Sequence, residues 1–166
     1  MKTNLLLGMY LSAIIAANLI ITTFGPSASI ITALVFIGLD ITARDALHEA
    51  WHHDQLWLKM ALLIGTGSLL SYLVEAGSAR VAVASFTAFA GAGIADTMIY
   101  TLLSKRSWMV KVNGSNLVSA AIDSLLFSPL AFGVILPVVI IGQFAAKVIG
   151  GAAWSLMLAH RVMVTE

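Results

Sequence analysis

LLLGMYLSAIIAANLIITTF, residues 5–24, contains no charged side chain. At 1.5 Å of rise per helical residue, a run of this length matches the ~30 Å hydrocarbon core of a bilayer. Lys2 stands before it, so the stretch has two readings. A secretory signal would end in a small-residue cleavage site followed by a polar domain. Here Gly25 and Pro26 are followed by further apolar sequence, and the stretch is read as a first membrane span.

The rest of the chain agrees. Of 166 residues, 60% are hydrophobic and 10% charged. A water-soluble domain carries about 25% charged residues, which it needs to cover its surface. The expected fold is an all-α integral membrane protein, because lipid offers no partner to exposed backbone N–H and C=O groups. The apolar runs predict a single transmembrane domain over 1–166, a bundle of about six helices at 4–24, 27–43, 56–74, 81–103, 113–132 and 135–159. Pro26 divides the first two. ARDALHEAWHHDQ (43–55) reads as the longest polar connection, EAGSAR (75–80) as a tight turn, and SKRSWMVK (104–111) as a basic loop with an interfacial Trp108. With the N-terminus cytoplasmic, Lys2, Arg44, Lys59, Lys105, Arg106, Lys111 and Arg161 share the cytoplasmic side and Arg80 alone faces out. That bias follows the positive-inside rule. It predicts an even number of spans, a cytoplasmic C-terminus and a location in the cell (inner) membrane. The net charge of +1 offers no basic patch to nucleic acid, and the absence of cysteine excludes disulfides and thiolate metal sites.

Ionisable residues inside the apolar runs carry the functional signal. Asp40, which ends the apolar run within VFIGLDITARD (35–45), Asp96, Asp123 and Lys147 all fall at membrane depth. Each costs roughly 2.5–3.5 kcal/mol to insert and is expected to face a bundle interior or a wet cavity. One lysine cannot neutralise three carboxylates, so a helix-clamping role alone leaves charge uncompensated. Asn18, Ser85, Asn116 and Ser119 add neutral polar groups. Ser85 and Asp96 are three helical turns apart on one face, and Ser119 and Asp123 one turn apart. Hydrogen bonding between helices is the plainer account of Asn18 and Ser119. An oxygen-rich site suits a hard cation such as calcium or magnesium. It equally suits a planar heterocycle whose adjacent N–H donors fork onto a carboxylate. GIADT (93–97) and AAIDS (120–124) echo each other, too briefly to define a repeat. No GxxxxGK[ST] loop is present, so the chain has no ATPase of its own.

VFIGLDITARD (35–45), RVAVASFTAFAGAGIADTMIY (80–100), SNLVSAAIDSLLF (115–127) and QFAAKVIGG (143–151), in that order, resemble the VUT family, the YhhQ-type membrane carriers of queuosine precursors. The resemblance covers most of residues 30–155. It implies a six-helix carrier, not an enzyme, that moves 7-deazaguanine bases such as 7-cyano-7-deazaguanine without a cofactor. It also implies Asp40, Ser85, Asp96, Asn116, Asp123 and Lys147 as substrate-site residues, to which the polar pattern adds Asn18 and Ser119. Asp96 and Asp123 would accept the base's N–H groups, and Lys147 would balance a carboxylate or donate to the ring carbonyl. Phe86, Phe89 or Phe127 would stack on it; the alternative role for Asp40 is a cytoplasmic gate formed with Arg44. Arg44 and Asp45 stand where the family often has Glu and Tyr-Gly. The partners expected are that small molecule and the lipid bilayer, with a homo-oligomer left open.

Two other classes compete. A substrate-capture S subunit of an ATPase-driven vitamin-type importer is also small and six-helical, and the small-residue face Ala88–Gly91–Ala92–Ala95 would dock its partner helix or pack within the bundle. A non-transporting membrane scaffold is the third. HEAWHHD (48–54) contains an H-E-x-x-H sequence. A catalytic zinc needs a third protein ligand and an open position. The motif is read as part of an amphipathic connector beside Trp51 and Trp57, with no metal expected.

Overall fold

The structure, a computed structural model, describes residues 3–51, 55–74 and 76–162, and it is helical throughout with no strand among them. Helix α1 is Thr3–Phe24. The short α2, Ala28–Thr32, continues through a π-helical turn, Ala33–Ile37, into α3, Gly38–Trp51. Then come α4 (Leu56–Val74), a 3-10 turn (Ala76–Ser78), α5 (Ala79–Leu102), α6 (Trp108–Phe132) and α7 (Pro137–Val162). With α2 and α3 taken as one broken rod, six rods pack together among the described residues. Among the described residues, four stretches are long and apolar enough to cross a membrane: Thr3–Phe24, Ala76–Leu102, Val110–Phe132 and Pro137–Met157. The chain is a multi-pass membrane protein.

The expected connections are shorter than the sequence suggests. Residues 43–51 are helical rather than a polar loop. Ala43 and Leu47, one turn apart, are both fully buried and carry the inward stripe of α3 past the apparent end of the span. Residues 52–54 and the side chains of His48 and Glu49 fall outside the described residues, and the H-E-x-x-H reading with them. α6 begins at Trp108, which reduces the basic loop to 103–107. Where chain direction reverses, backbone chemistry enforces it. Gly133 ends α6 at φ +76°, in the left-handed region open to glycine. Arg80 Nε donates to the Leu130 carbonyl at 3.1 Å, satisfying a helix-end group.

The bundle is apolar outside and polar within. Leu102 and Val138 are more than three-quarters exposed, whereas Asp40 and Lys147 are almost wholly buried. In lipid, apolar side chains gain little by leaving the surface, so close packing and interior hydrogen bonds hold the helices together. α5 and α6 pack along most of their length, with Ala88 and Ala92 buried and Gly91 against Leu126 and Ile122. The small-residue face of α5 is therefore used inside the bundle.

The tightest approach joins the broken rod to α7. A Cβ on Gly38 would lie 2.6 Å from the Gly150 backbone, and a Cβ on Gly150 would overlap the Leu34 carbonyl. Beside this contact, Trp154 Nε1 donates to the Val35 carbonyl at 3.0 Å, within the π turn. Widened turns of this kind disturb the regular helical ladder, and an outside donor satisfies the backbone there. Gly150→Ala is expected to destabilise the detergent-solubilised protein by about 1–3 kcal/mol, the usual cost of overpacking. Gly93→Ala, where a Cβ meets nothing within 4 Å, should leave the thermal midpoint unchanged or raised. Differential scanning fluorimetry of the two variants checks both.

Candidate polar cavity within the helix bundle

The buried polar residues fall into three linked groups. The first ties α7 to α6 and α2. Lys147 Nζ lies 2.5 Å from Asp123 Oδ2. It donates to Ser124 Oγ at 3.1 Å and to Gln143 Oε1, one turn back on α7, at 3.3 Å. Gln143 Nε2 in turn donates to Ser29 Oγ at 2.9 Å, and Ser29 Oγ to the Pro26 carbonyl. An ammonium has three N–H donors, and all three of Lys147 have an acceptor here. Of the two roles expected for Lys147, balancing a carboxylate is the one this geometry provides. Asp123 keeps its other oxygen, Oδ1, buried without a hydrogen-bond partner.

The second group joins α1, α4 and α5. Ser85 Oγ donates to Asn18 Oδ1 at 2.6 Å, and Asn18 Nδ2 to Ser71 Oγ at 3.1 Å. Ser71 Oγ donates to the Gly67 carbonyl, while the Ser71 carbonyl accepts from Ser78 Oγ. The third group surrounds Arg44, which is 5% exposed. Its guanidinium lies 3.8 Å from Asp96 Oδ1 and 3.5 Å from Ser119 Oγ. Asp40, one turn earlier on α3, is buried alongside, and the buried Tyr10 of α1 lies within electrostatic reach of Asp40, Arg44 and Asp123.

Arg44 changes the charge balance read from sequence, which put it on the cytoplasmic side. Three buried carboxylates, Asp40, Asp96 and Asp123, face two buried cations, Arg44 and Lys147, among the described residues.

Two small cavities lie among these groups. The first, about 20 Å³, is lined by Asn18, Ser29, Thr32, Ser85, Gln143, Asp123 and Lys147, with Phe89 and Phe127 as its aromatic walls. The second, about 10 Å³, is lined by Asp40, Arg44, Ser119 and Asp123. These volumes hold about one water each, far below the roughly 300 Å³ or more of a small-molecule pocket. The bundle is thus contracted around its polar interior, and a solute requires it to open.

Of the expected site residues, Asn18, Ser85, Asp123 and Lys147 come together at the first cavity, and Asp40, Ser119 and Asp123 with Arg44 at the second. Asp96 is buried behind Arg44 and lines neither. Asn116 is half-buried on α6, a turn away. Phe86 is 42% exposed. With Ser85 turned inward, the next residue is rotated about 100° away, and of the three expected aromatics Phe89 and Phe127 line the cavity. Gln143, Ser29, Ser71, Ser124 and Tyr10 went unnoticed in the sequence. Gln143 alone left a signal, one helical turn before Lys147; isolated serines in apolar helices usually bond their own backbone.

Removing Lys147 as Lys147→Met should cost about 3–5 kcal/mol, because it strands a buried carboxylate. Adding Asp123→Asn should recover part of that loss, so the double variant is more stable than the sum of the singles predicts. Thermal unfolding of all three variants measures the coupling.

Residues 6–159 match the protein family described as “Putative vitamin uptake transporter”. No curated protein and no solved structure matches the chain.

Proposed function

The chain belongs to the “Putative vitamin uptake transporter” family, and from that premise we propose that it imports a queuosine precursor, 7-cyano-7-deazaguanine or a related 7-deazaguanine base. The observation that carries this reading is the free acceptor of Asp123. Its Oδ1 is buried, lacks a hydrogen-bond partner and belongs to a residue lining both cavities. A 7-deazaguanine edge presents a ring N–H beside an exocyclic NH₂, the donors such an oxygen lacks. Lys147, held by Ser124 and Gln143, balances the charge of Asp123 and fixes its orientation. Phe89 and Phe127 supply aromatic walls for a flat ring, and Asn18 with Ser85 offers further hydrogen-bonding groups once the bundle opens. Asp96 acts on the site through Arg44 rather than by touching the solute.

In this reading all six rods cross the cell (inner) membrane, and both termini face the cytoplasm, as the basic residues require. The burial of Ala88 and Ala92 removes the exposed small-residue face that an ATPase-partnered capture subunit would offer at that place, and so favours a carrier acting alone.

The test is uptake in bacteria unable to make or import queuosine precursors, fed 7-cyano-7-deazaguanine and scored by queuosine in tRNA. Wild type should restore the modification. Asp123→Asn, expressed at wild-type level, should lose a charged hydrogen bond of about 1.5–3 kcal/mol, roughly 10–100-fold in apparent affinity. Asp96→Asn should reduce uptake less. No restoration by wild type in the membrane sinks this substrate. Restoration only with a copurifying ATPase pair sinks the stand-alone carrier.

A further inference from the structure

The two cavities do not merge, yet they share three residues. Ile37, Phe89 and Asp123 line both. Ile37 and Phe89 are buried apolar side chains, from the broken rod and from α5, and they stand between two polar spaces. Asp123 alone among the charged residues borders both spaces. The first cavity lies toward the end of the bundle where the broken rod and α7 begin, with Ser29 in the first turn of α2 and Gln143 in the second turn of α7. The second lies toward the end carrying the 103–107 loop.

The broken rod serves both cavities with different halves. Ser29, Thr32 and Ala33, before or at the start of the π turn, line the first; Asp40, Ile41 and Arg44, beyond it, line the second. At the junction Gly38 meets the Gly150 backbone of α7, and Trp154 holds the Val35 carbonyl. The rod packs on α7 along its length, and its closest backbone approach, at Gly38 and Gly150 beside the irregular turn, marks a natural fulcrum. Rotation there moves its two halves in opposite directions, widening one cavity as it narrows the other.

We infer that the two cavities are successive stations on one solute path, that Ile37 and Phe89 form the gate between them, and that the rod pivots at its Gly38–Gly150 contact. Asp123 is the acceptor common to both stations, so a donor-bearing solute keeps one partner as it passes. The second station, with Asp40, Arg44 and Ser119, takes the same polar, N–H-bearing class of solute. The inference rests on the transport reading but not on the identity of the substrate.

The chain contains no cysteine, which makes accessibility a direct test. Thr32→Cys reports on the first station and Ala120→Cys on the second. Each is labelled in oriented membrane vesicles with a charged, membrane-impermeant thiol reagent, without any solute. The expected result is reaction from opposite faces. Each rate should be about tenfold or more faster from one face than the other, as when the minor state holds about 10% or less of the molecules. Gly150→Ala, which crowds the fulcrum, should shift the two rates in opposite directions. Phe89→Leu should let both cysteines react from both faces. Ala17→Cys and Ala92→Cys replace the first pair if either fails to reach the membrane.

Reaction of both stations from one face overturns the inference, as does reaction of neither from any face. Rates that move together in Gly150→Ala overturn the fulcrum. Opposite-face labelling with no uptake of 7-cyano-7-deazaguanine sinks only the substrate. Same-face labelling with normal uptake overturns this inference and leaves the transport reading standing.

Discussion

The contact between Lys147 and Asp123 organises this bundle. A lone ammonium or carboxylate at membrane depth is costly, and the cost falls only when the partner is held in place. Ser124 and Gln143 hold Lys147, and Gln143 reaches on to Ser29 at the start of the second rod. Three rods are thus tied to one ammonium group. Because the lysine is saturated, the free oxygen of Asp123 is presented to the cavities at a defined position. A polar binding surface in lipid needs such preorganisation, since an unpaired mobile charge would instead find water or a neighbouring helix.

The second ion pair follows the same plan with looser geometry. Asp96 of α5 faces Arg44 of α3, as Asp123 of α6 faces Lys147 of α7. The two aspartates occur in the similar stretches GIADT and AAIDS, on adjacent helices, and each meets a cation from another helix. Their separations differ, 3.8 Å against 2.5 Å. The tighter pair anchors the architecture, and the looser one lies beside the buried Asp40.

Packing supplies what electrostatics does not. Gly38 and Gly150 let two backbones meet, and the π turn above that contact is satisfied by Trp154. Alanines line the interior of α5, so that helix sits close to its neighbours without bulky apolar side chains to bury. The exposed leucines, valines and isoleucines face outward, where lipid accepts them at little cost.

Hydrophobic runs, the shortage of charge and the placement of Lys and Arg determined by themselves that the chain is a helical membrane protein. Bilayer thickness and backbone hydrogen bonding leave few alternatives. Asp40, Asp123 and Lys147 stood out for the same reason: a charge inside an apolar run is too costly to be idle. The ends of the helices were less legible. The inward stripe of Ala43 and Leu47 is concealed among the polar residues of the second rod, whose remaining faces point elsewhere. The partnerships were not legible at all. Which cation meets which aspartate, that Arg44 is buried, that Phe86 faces out while Phe89 faces in, and that Gln143 joins Lys147 to Ser29 all depend on how each helix is rotated about its axis. Only the packing of the whole bundle decides that rotation, because only there do buried charges find partners and glycines find each other.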